Sequence, residues 1–363
     1  MTRRGLLLLN LGTPTAPTVP AVRRYLREFL WDPRVIDINP VLRALLLYGL
    51  ILPTRPRQSA KAYQSIWSER GSPLLVHGRD LAHKVGQRLG EPWVVELAMR
   101  YQEPSIATAL EQLAEHGVAQ IVVFPLFPHY SSAAWGSAIE RVLTLASRRW
   151  NVPTLQVVPP YYNHPEFIEA FATVTQRALN GFAADRVVMS YHGLPERQLR
   201  KSDENKVKHC LHNANCCDSM GPANQYCYRA QCFATSRALA KRLALADQSW
   251  EITFQSRLGR IPWIRPYTDE RVRELAGAGV KRLAVVCPSF TADCLETLEE
   301  IGIRAREDFK AHGGEELCLV PSLNSDDRWV RAIVEIAAQT AACPPPEDPH
   351  HRHETPAQRS YRS

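Results

Sequence analysis

The stretch Arg186-Val-Val-Met-Ser-Tyr-His-Gly-Leu-Pro195 decides how this chain folds. Val187, Val188 and Met189 form an apolar run too uninterrupted for a surface strand. Gly193 and Pro195 stop it at once. A short buried strand therefore delivers His192 to the carboxyl edge of a sheet. In open α/β sheets ligands bind at that edge. An imidazole there can take a proton or hold a metal near neutral pH. The plainer alternative is a hydrogen-bonded histidine at a strand end.

Outward from this stretch, strands alternate with helices. Strands are predicted over 5–11, 93–99, 121–124, 155–158, 186–190, 251–255 and 283–287. Helices are predicted over 19–30, 74–89, 105–116, 138–148, 165–179, 234–244, 269–277, 292–309 and 326–340, with Ser105 as an N-cap. The alternation argues parallel sheets covered on both faces. Element order repeats between the halves, while residues do not. The expected fold class is α/β, with a domain over 1–160, a second over 161–322 and a cleft between them. A terminal helix occupies 323–342, and a Pro-rich, polar tail over 343–363 reads as disordered. His350, His351 and His353 belong to that tail rather than to a site.

The chain has 363 residues, 45% of them hydrophobic, which is enough for a real core. A net charge of +7 suits nucleic acid, anionic lipid or a carboxylate-bearing substrate. No basic run with interleaved aromatics exists, so nucleic acid is the weakest of these. The apolar stretch after Arg3-Arg4 is broken by Asn10 and lacks a cleavage site, so it reads as a strand and not a signal peptide. No segment is long enough to span a membrane. A cytoplasmic location follows, and nine cysteines there are not expected to form disulfides. The most apolar run, 41–52, is followed by Arg55, Arg57 and Lys61. It is either a core helix or an apolar lip that touches a membrane surface or a flat greasy ligand.

Two stretches break the rhythm of the second half. Cys287-Pro-Ser-Phe-Thr-Ala-Asp-Cys-Leu-Glu-Thr-Leu-Glu-Glu300 follows a strand and opens a helix, with Thr291 as the expected N-cap. At about 100° per residue, Asp293, Glu296 and Glu300 fall within roughly 60° of one another. Such a stripe is either a solvated face or a row of carboxylates for divalent cations and protons. Cys294 falls toward the apolar side. The second stretch is an insert over 201–232 carrying Cys210, Cys216, Cys217, Cys227 and Cys232. Four thiolates could hold zinc or a [2Fe–2S] cluster, and the spacing does not choose between them.

The motifs Leu9-Asn-Leu-Gly-Thr-Pro14, Ser190-Tyr-His-Gly-Leu-Pro195, Phe254-Gln-Ser-Arg-Leu-Gly-Arg-Ile-Pro-Trp263, Pro266-Tyr-Thr-Asp269 and Phe290-Thr-Ala-Asp-Cys-Leu-Glu-Thr-Leu298, in this order, are highly specific. The chain resembles the ferrochelatases over residues 5–340. That resemblance implies two Rossmann-like domains with protoporphyrin IX in the cleft and Fe²⁺ as the second substrate. It implies His192 as the invariant histidine, Glu296 as the metal-site glutamate, and Asp293 with Glu300 as an acidic path. Trp263, Phe290 and Tyr130 match positions that line or support the pocket. The cysteine insert resembles that of a bacterial subset with a [2Fe–2S] cluster, four of the five cysteines being ligands. Cys294 stands where animal members have a histidine, and Cys343 alone cannot supply their C-terminal ligand set.

Metallation needs loss of two pyrrole protons, stripping of water from Fe²⁺ and a bent macrocycle. Trp263 and the 41–52 lip are expected to grip the ring, and His192 to take pyrrole protons. Glu296, backed by Asp293 and Glu300, is expected to carry protons away or deliver iron. Arg23, Arg24 or Arg27 could pair with propionates. Rival readings are a ferrochelatase for coproporphyrin III, a cobalt chelatase, and a non-catalytic haem or metal carrier. Peripheral membrane contact is expected only through 41–52, and the sequence does not reveal the oligomeric state.

Overall fold

The computed structural model describes residues 3–204, 209–213, 215–259 and 261–342. The tail expected over 343–363, with its histidines and Cys343, lies outside the described residues.

Two four-stranded parallel sheets form the frame. The first contains β1 (Arg4–Gly12), β2 (Trp93–Tyr101), β3 (Gln120–Pro125) and β4 (Thr154–Val157), in the order β2-β1-β3-β4. The second contains β5 (Arg186–His192), β6 (Trp250–Gln255), β7 (Arg282–Val286) and β8 (Glu316–Leu319), in the order β6-β5-β7-β8. The two orders are the same pattern. β1 and β5 are each the first strand of a sheet and lie between two neighbours, so helices cover both of their faces and their sequences stay apolar throughout.

The period of two is plain in β1. Leu6 and Leu8 pack toward Leu81, Val122 and Phe124, while Leu7 and Leu9 pack toward Leu110, Val123 and Ile139. β1 ends on Gly12 at φ +118°, where an added Cβ would lie 2.0 Å from the Tyr101 carbonyl oxygen, so only glycine fits. The last helix, Asp327–Ala342, packs on the helices Pro73–Leu89 and Pro165–Leu179 and so joins the halves. Its Trp329 is fully buried, with ring centroids of Phe124, Tyr161 and Phe167 at 6.2, 5.9 and 6.1 Å.

Two expectations about elements change. The helix predicted from 292 begins only at Glu296, is π-helical through Ala305 and continues as Arg306–Ala311. Thr291 is therefore no N-cap. Its hydroxyl donates instead to the Leu126 carbonyl at 3.0 Å and ties the second sheet to the first. The 41–52 run is helical over Pro40–Ala44, π-helical over Leu45–Ile51, and runs on as the helix Leu52–Ile66. A further π-helical turn, Ser132–Gly136, follows β3. π-turns concentrate where a side chain must be re-aimed, and two of these three border the cleft described next. Ser105 does cap its helix, its hydroxyl accepting from the Thr108 N–H at 3.1 Å.

Candidate active site

A cleft of ≈ 1170 Å³, open to solvent, lies at the carboxyl ends of β1, β3 and β5. Its walls are mostly apolar: Leu11, Tyr25 and Phe29 on one side, Phe127, Leu194 and Phe290 on others. His192 and Glu296 both line it, so strand β5 and the π-helix bring them to one cavity as expected.

The His192 ring is held in one tautomer. Its Nδ1 stands 2.6 Å from the Gly193 carbonyl oxygen, and a carbonyl can only accept. Nδ1 therefore carries the proton and Nε2 keeps a lone pair. The His192 N–H donates to Ser289 Oγ at 3.3 Å, and the Phe290 ring lies 6.3 Å away. A Cβ at Gly193 would come within 2.8 Å of the Gln255 carbonyl oxygen, so the turn after the histidine needs glycine for this close approach.

The acidic stripe is only partly formed. Because the helix starts at Glu296, Asp293 precedes it and is not on its wheel. Asp293 is buried, accepts from the Ser322 N–H at 3.1 Å and from Asn324 Nδ2 at 2.7 Å, and does not line the cleft. Glu300 is on the helix but accepts from the Ser256 N–H at 2.8 Å and its hydroxyl at 2.5 Å. Both carboxylates brace loops. Between them Gln255 donates to the Glu296 carbonyl at 2.8 Å, which fixes the start of the π-helix against β6. Glu296 alone faces the cavity.

Phe290 is in the cleft wall, whereas Trp263 and Tyr130 are not. Trp263 donates from Nε1 to the Leu258 carbonyl and packs behind Gly193, so it supports the histidine loop from outside. Tyr130 faces an adjoining cavity with Arg34 and Tyr226. Arg23, Arg24 and Arg27 are exposed beside Tyr48 and Leu52, away from the cleft. The 41–52 segment likewise contributes no lining residue.

Several lining residues escaped the sequence reading. Tyr25 stacks on Phe29 at 5.8 Å and meets Tyr63 edge-on at 6.5 Å. Burial, and then the charge of Glu296, push the Tyr25 phenol well above its ordinary value, so it stays a donor. The aromatic pair at i, i+4 was the available signal. Burial likewise pushes the Cys294 thiol up, so it remains a packed thiol. His129 also lines the cleft and is nearly fully buried, and burial pushes its pKa down to about 3.

The five insert cysteines are all buried and uncrosslinked. Cys216 and Cys217 place their sulfurs 3.7 Å apart, and Arg229 donates to the Cys217 sulfur at 3.0 Å. The neighbouring Cys227 holds the Cys210 thiol below its ordinary value, while Cys210 and burial push Cys227 up to about 11. Cys232 lies inside the helix Tyr228–Arg242, where burial pushes its thiol well above the ordinary value. Among the described residues no group of three or more His, Cys, Asp or Glu side chains is spaced to hold a metal ion. Among the described residues the insert is a core lined by buried sulfurs.

The family model described as Ferrochelatase matches residues 3–341. The chain belongs to the ferrochelatase family. It is 49% identical over 336 residues to a ferrochelatase of Coxiella burnetii (strain Dugway 5J108-111), covering 93% of each chain. It is 48% identical to a ferrochelatase of Legionella pneumophila (strain Lens), covering 92% of this chain and 98% of the relative. Among solved structures, SirB from Bacillus subtilis with Fe³⁺ matches with a TM-score of 0.53 at 14% identity, covering 94% and 96%. That last likeness is one of fold. As a ferrochelatase the protein is a metal chelatase, a lyase of haem biosynthesis whose substrates are protoporphyrin and ferrous iron.

Proposed function

We propose that His192 and Glu296 carry the metallation step of this ferrochelatase. The observation that supports this most is the pinned tautomer: Nδ1–H is committed to the Gly193 carbonyl, so Nε2 offers a lone pair in a cleft that Glu296 also lines. Protoporphyrin loses two N–H protons as four nitrogens take Fe²⁺. Nε2 accepts one pyrrole proton and passes it to water through the open cleft before it takes the second, and the Glu296 carboxylate draws the hard cation to the ring. Tyr25, Phe29 and Phe290 grip the apolar faces, which favours the bent ring over the flat one. His192→Ala is expected to abolish metallation with the fold retained. An active, folded variant would defeat the assignment. Glu296→Gln is expected to lower kcat far more than porphyrin affinity; a loss confined to affinity would make this glutamate a binding group only.

We infer further that Cys210, Cys216, Cys217 and Cys227 hold a [2Fe–2S] cluster. These four cysteines lie in one buried core, Arg229 offsets thiolate charge there, and Cys232 is set apart inside the helix Tyr228–Arg242. When bound, such a cluster would supply a cross-link for a loop with little apolar content. Anaerobically purified protein is expected to be red-brown, with stoichiometric iron and sulfide. Colourless protein containing zinc would remove the cluster. The exposed 41–52 lip, beside basic residues, supports peripheral contact with an anionic membrane surface. Among the described residues no helix is long and apolar enough to cross a membrane.

A further inference from the structure

The wall of the porphyrin cleft and the cysteine insert share one buried side chain. Gln231 lies in the first turn of Tyr228–Arg242, the helix that the insert leads into, and is 1% exposed. Its Oε1 accepts from the Tyr130 N–H at 2.7 Å, and its Nε2 donates to the Gln225 carbonyl at 2.7 Å. An N–H can only donate and a carbonyl can only accept, so both ends of the amide are committed. Tyr130 follows His129, and His129 and Ser131 line the cleft. Gln225 belongs to the insert.

The contact continues on each side. In the insert, buried Asn224 donates to the carbonyls of Cys216 at 3.0 Å and Ser219 at 2.8 Å, and its own carbonyl takes the Cys227 N–H at 2.8 Å. On the cleft side, His129 Nε2 lies 2.8 Å from Thr235 Oγ1, one turn further along the same helix. Two buried amides thus join the sulfur-lined core to the cleft wall: Asn224 holds Cys216, Gln231 holds Gln225 and Tyr130, and the Asn224–Gln225 peptide bond links the two. A linkage of this kind transmits disorder, because each member left unpaired in the interior pulls its neighbour toward another partner.

We propose that Gln231 is a positioning residue, fixing the 128–131 wall of the porphyrin cleft according to whether the cysteine insert is folded. It touches neither substrate nor reacting atoms. This goes beyond the roles assigned above to His192 and Glu296, and it does not depend on what the cysteines hold. The test is a double-mutant cycle read by porphyrin binding, measured as fluorescence quenching of protoporphyrin. Asn224→Ala loosens the insert without touching a sulfur. Gln231→Leu keeps side-chain size and removes both hydrogen bonds. Each is expected to weaken porphyrin binding about tenfold, the scale of one lost buried hydrogen bond. The double variant is expected to be no weaker than either single variant, because both cut one chain. The kcat at saturating porphyrin should stay within about twofold, while KM rises. Multiplied effects, on the order of a hundredfold in the double variant, would overturn the proposal, as would unchanged binding in a folded Gln231→Leu. If Gln231→Leu does not fold, Asn224→Ala decides alone. A protease-sensitive insert with unchanged porphyrin affinity would then sink the link. Cysteine replacement tests the cluster separately, through iron content.

Discussion

His129 shows how one buried side chain sets a pH limit. The Thr235 hydroxyl donates to the Tyr162 carbonyl at 2.6 Å, so it must accept from His129 Nε2–H at 2.8 Å. Nδ1 keeps a lone pair and has no partner among the described residues. With three tyrosine rings around it and no carboxylate in contact, burial holds the imidazole neutral, its pKa pushed down to about 3. The unfolded chain binds this proton near its ordinary pKa of about 6.5, and the folded chain does not. Unfolded protein therefore holds more protons between those values, and stability falls as pH drops through that window. At pH 5 the loss from this group is about 2 kcal/mol relative to pH 7. His129→Gln, which can still donate to Thr235, is expected to lose this part of the acid sensitivity. Urea midpoints of both proteins at pH 7 and pH 5 check it. An equal drop in the two would show that the acid sensitivity arises elsewhere.

Asp32 ends the helix Val19–Trp31 and anchors the wall that carries Tyr25 and Phe29. Its carboxylate accepts from Arg100 at 2.6 Å, Tyr101 at 2.9 Å, Ser137 at 2.5 Å and the Arg34 N–H at 2.7 Å. Burial raises its pKa, but those partners outweigh burial and leave it below the ordinary carboxylate value. Asp32→Asn strands the Arg100 charge and is expected to cost about 3 kcal/mol, read as a lower urea midpoint. It should also raise the porphyrin KM, because Tyr101 packs against Phe29 at 5.2 Å. A neutral substitution with unchanged KM would make the network dispensable. The sequence carried much of this architecture. Alternation pointed to parallel sheets, and the stop at Gly193 and Pro195 placed His192 at a strand end. It could not show a π-helix, because the extra residue per turn leaves no apolar period of its own. That is why Asp293 was drawn onto a stripe that begins three residues later. Asp32, Gln231 and His129 were illegible for another reason. Their partners are distant in the chain, and hydrogen bonding between distant residues has no sequence period.

The lip belongs to the whole molecule rather than to one helix. Val41, Leu42, Leu45, Tyr48 and Leu50 are each more than half exposed. Their inward neighbours Leu47 and Leu52 pack on Leu26, Phe29 and Leu30 of the helix whose other side forms the cleft wall. Around them Arg23, Arg24, Arg27, Arg55, Arg57 and Lys61 are exposed and form no ion pair among the described residues. An apolar ridge ringed by uncompensated cations fits the boundary of an anionic bilayer, where side chains sink between headgroups and arginines meet phosphates. On the membrane contact proposed above, a greasy substrate arriving along that surface would meet a cleft rooted in the same helix. Leu42→Ser with Leu45→Ser is expected to lower partitioning onto phosphatidylglycerol-containing vesicles about a hundredfold or more, the scale of unburying two leucines. Thermal stability should hold, since both side chains point outward. Added salt should weaken binding of the unaltered protein, and pure phosphatidylcholine vesicles should bind it poorly. Sedimentation with vesicles checks all three, and a double variant that sediments like the original would mean that the ridge faces something other than lipid.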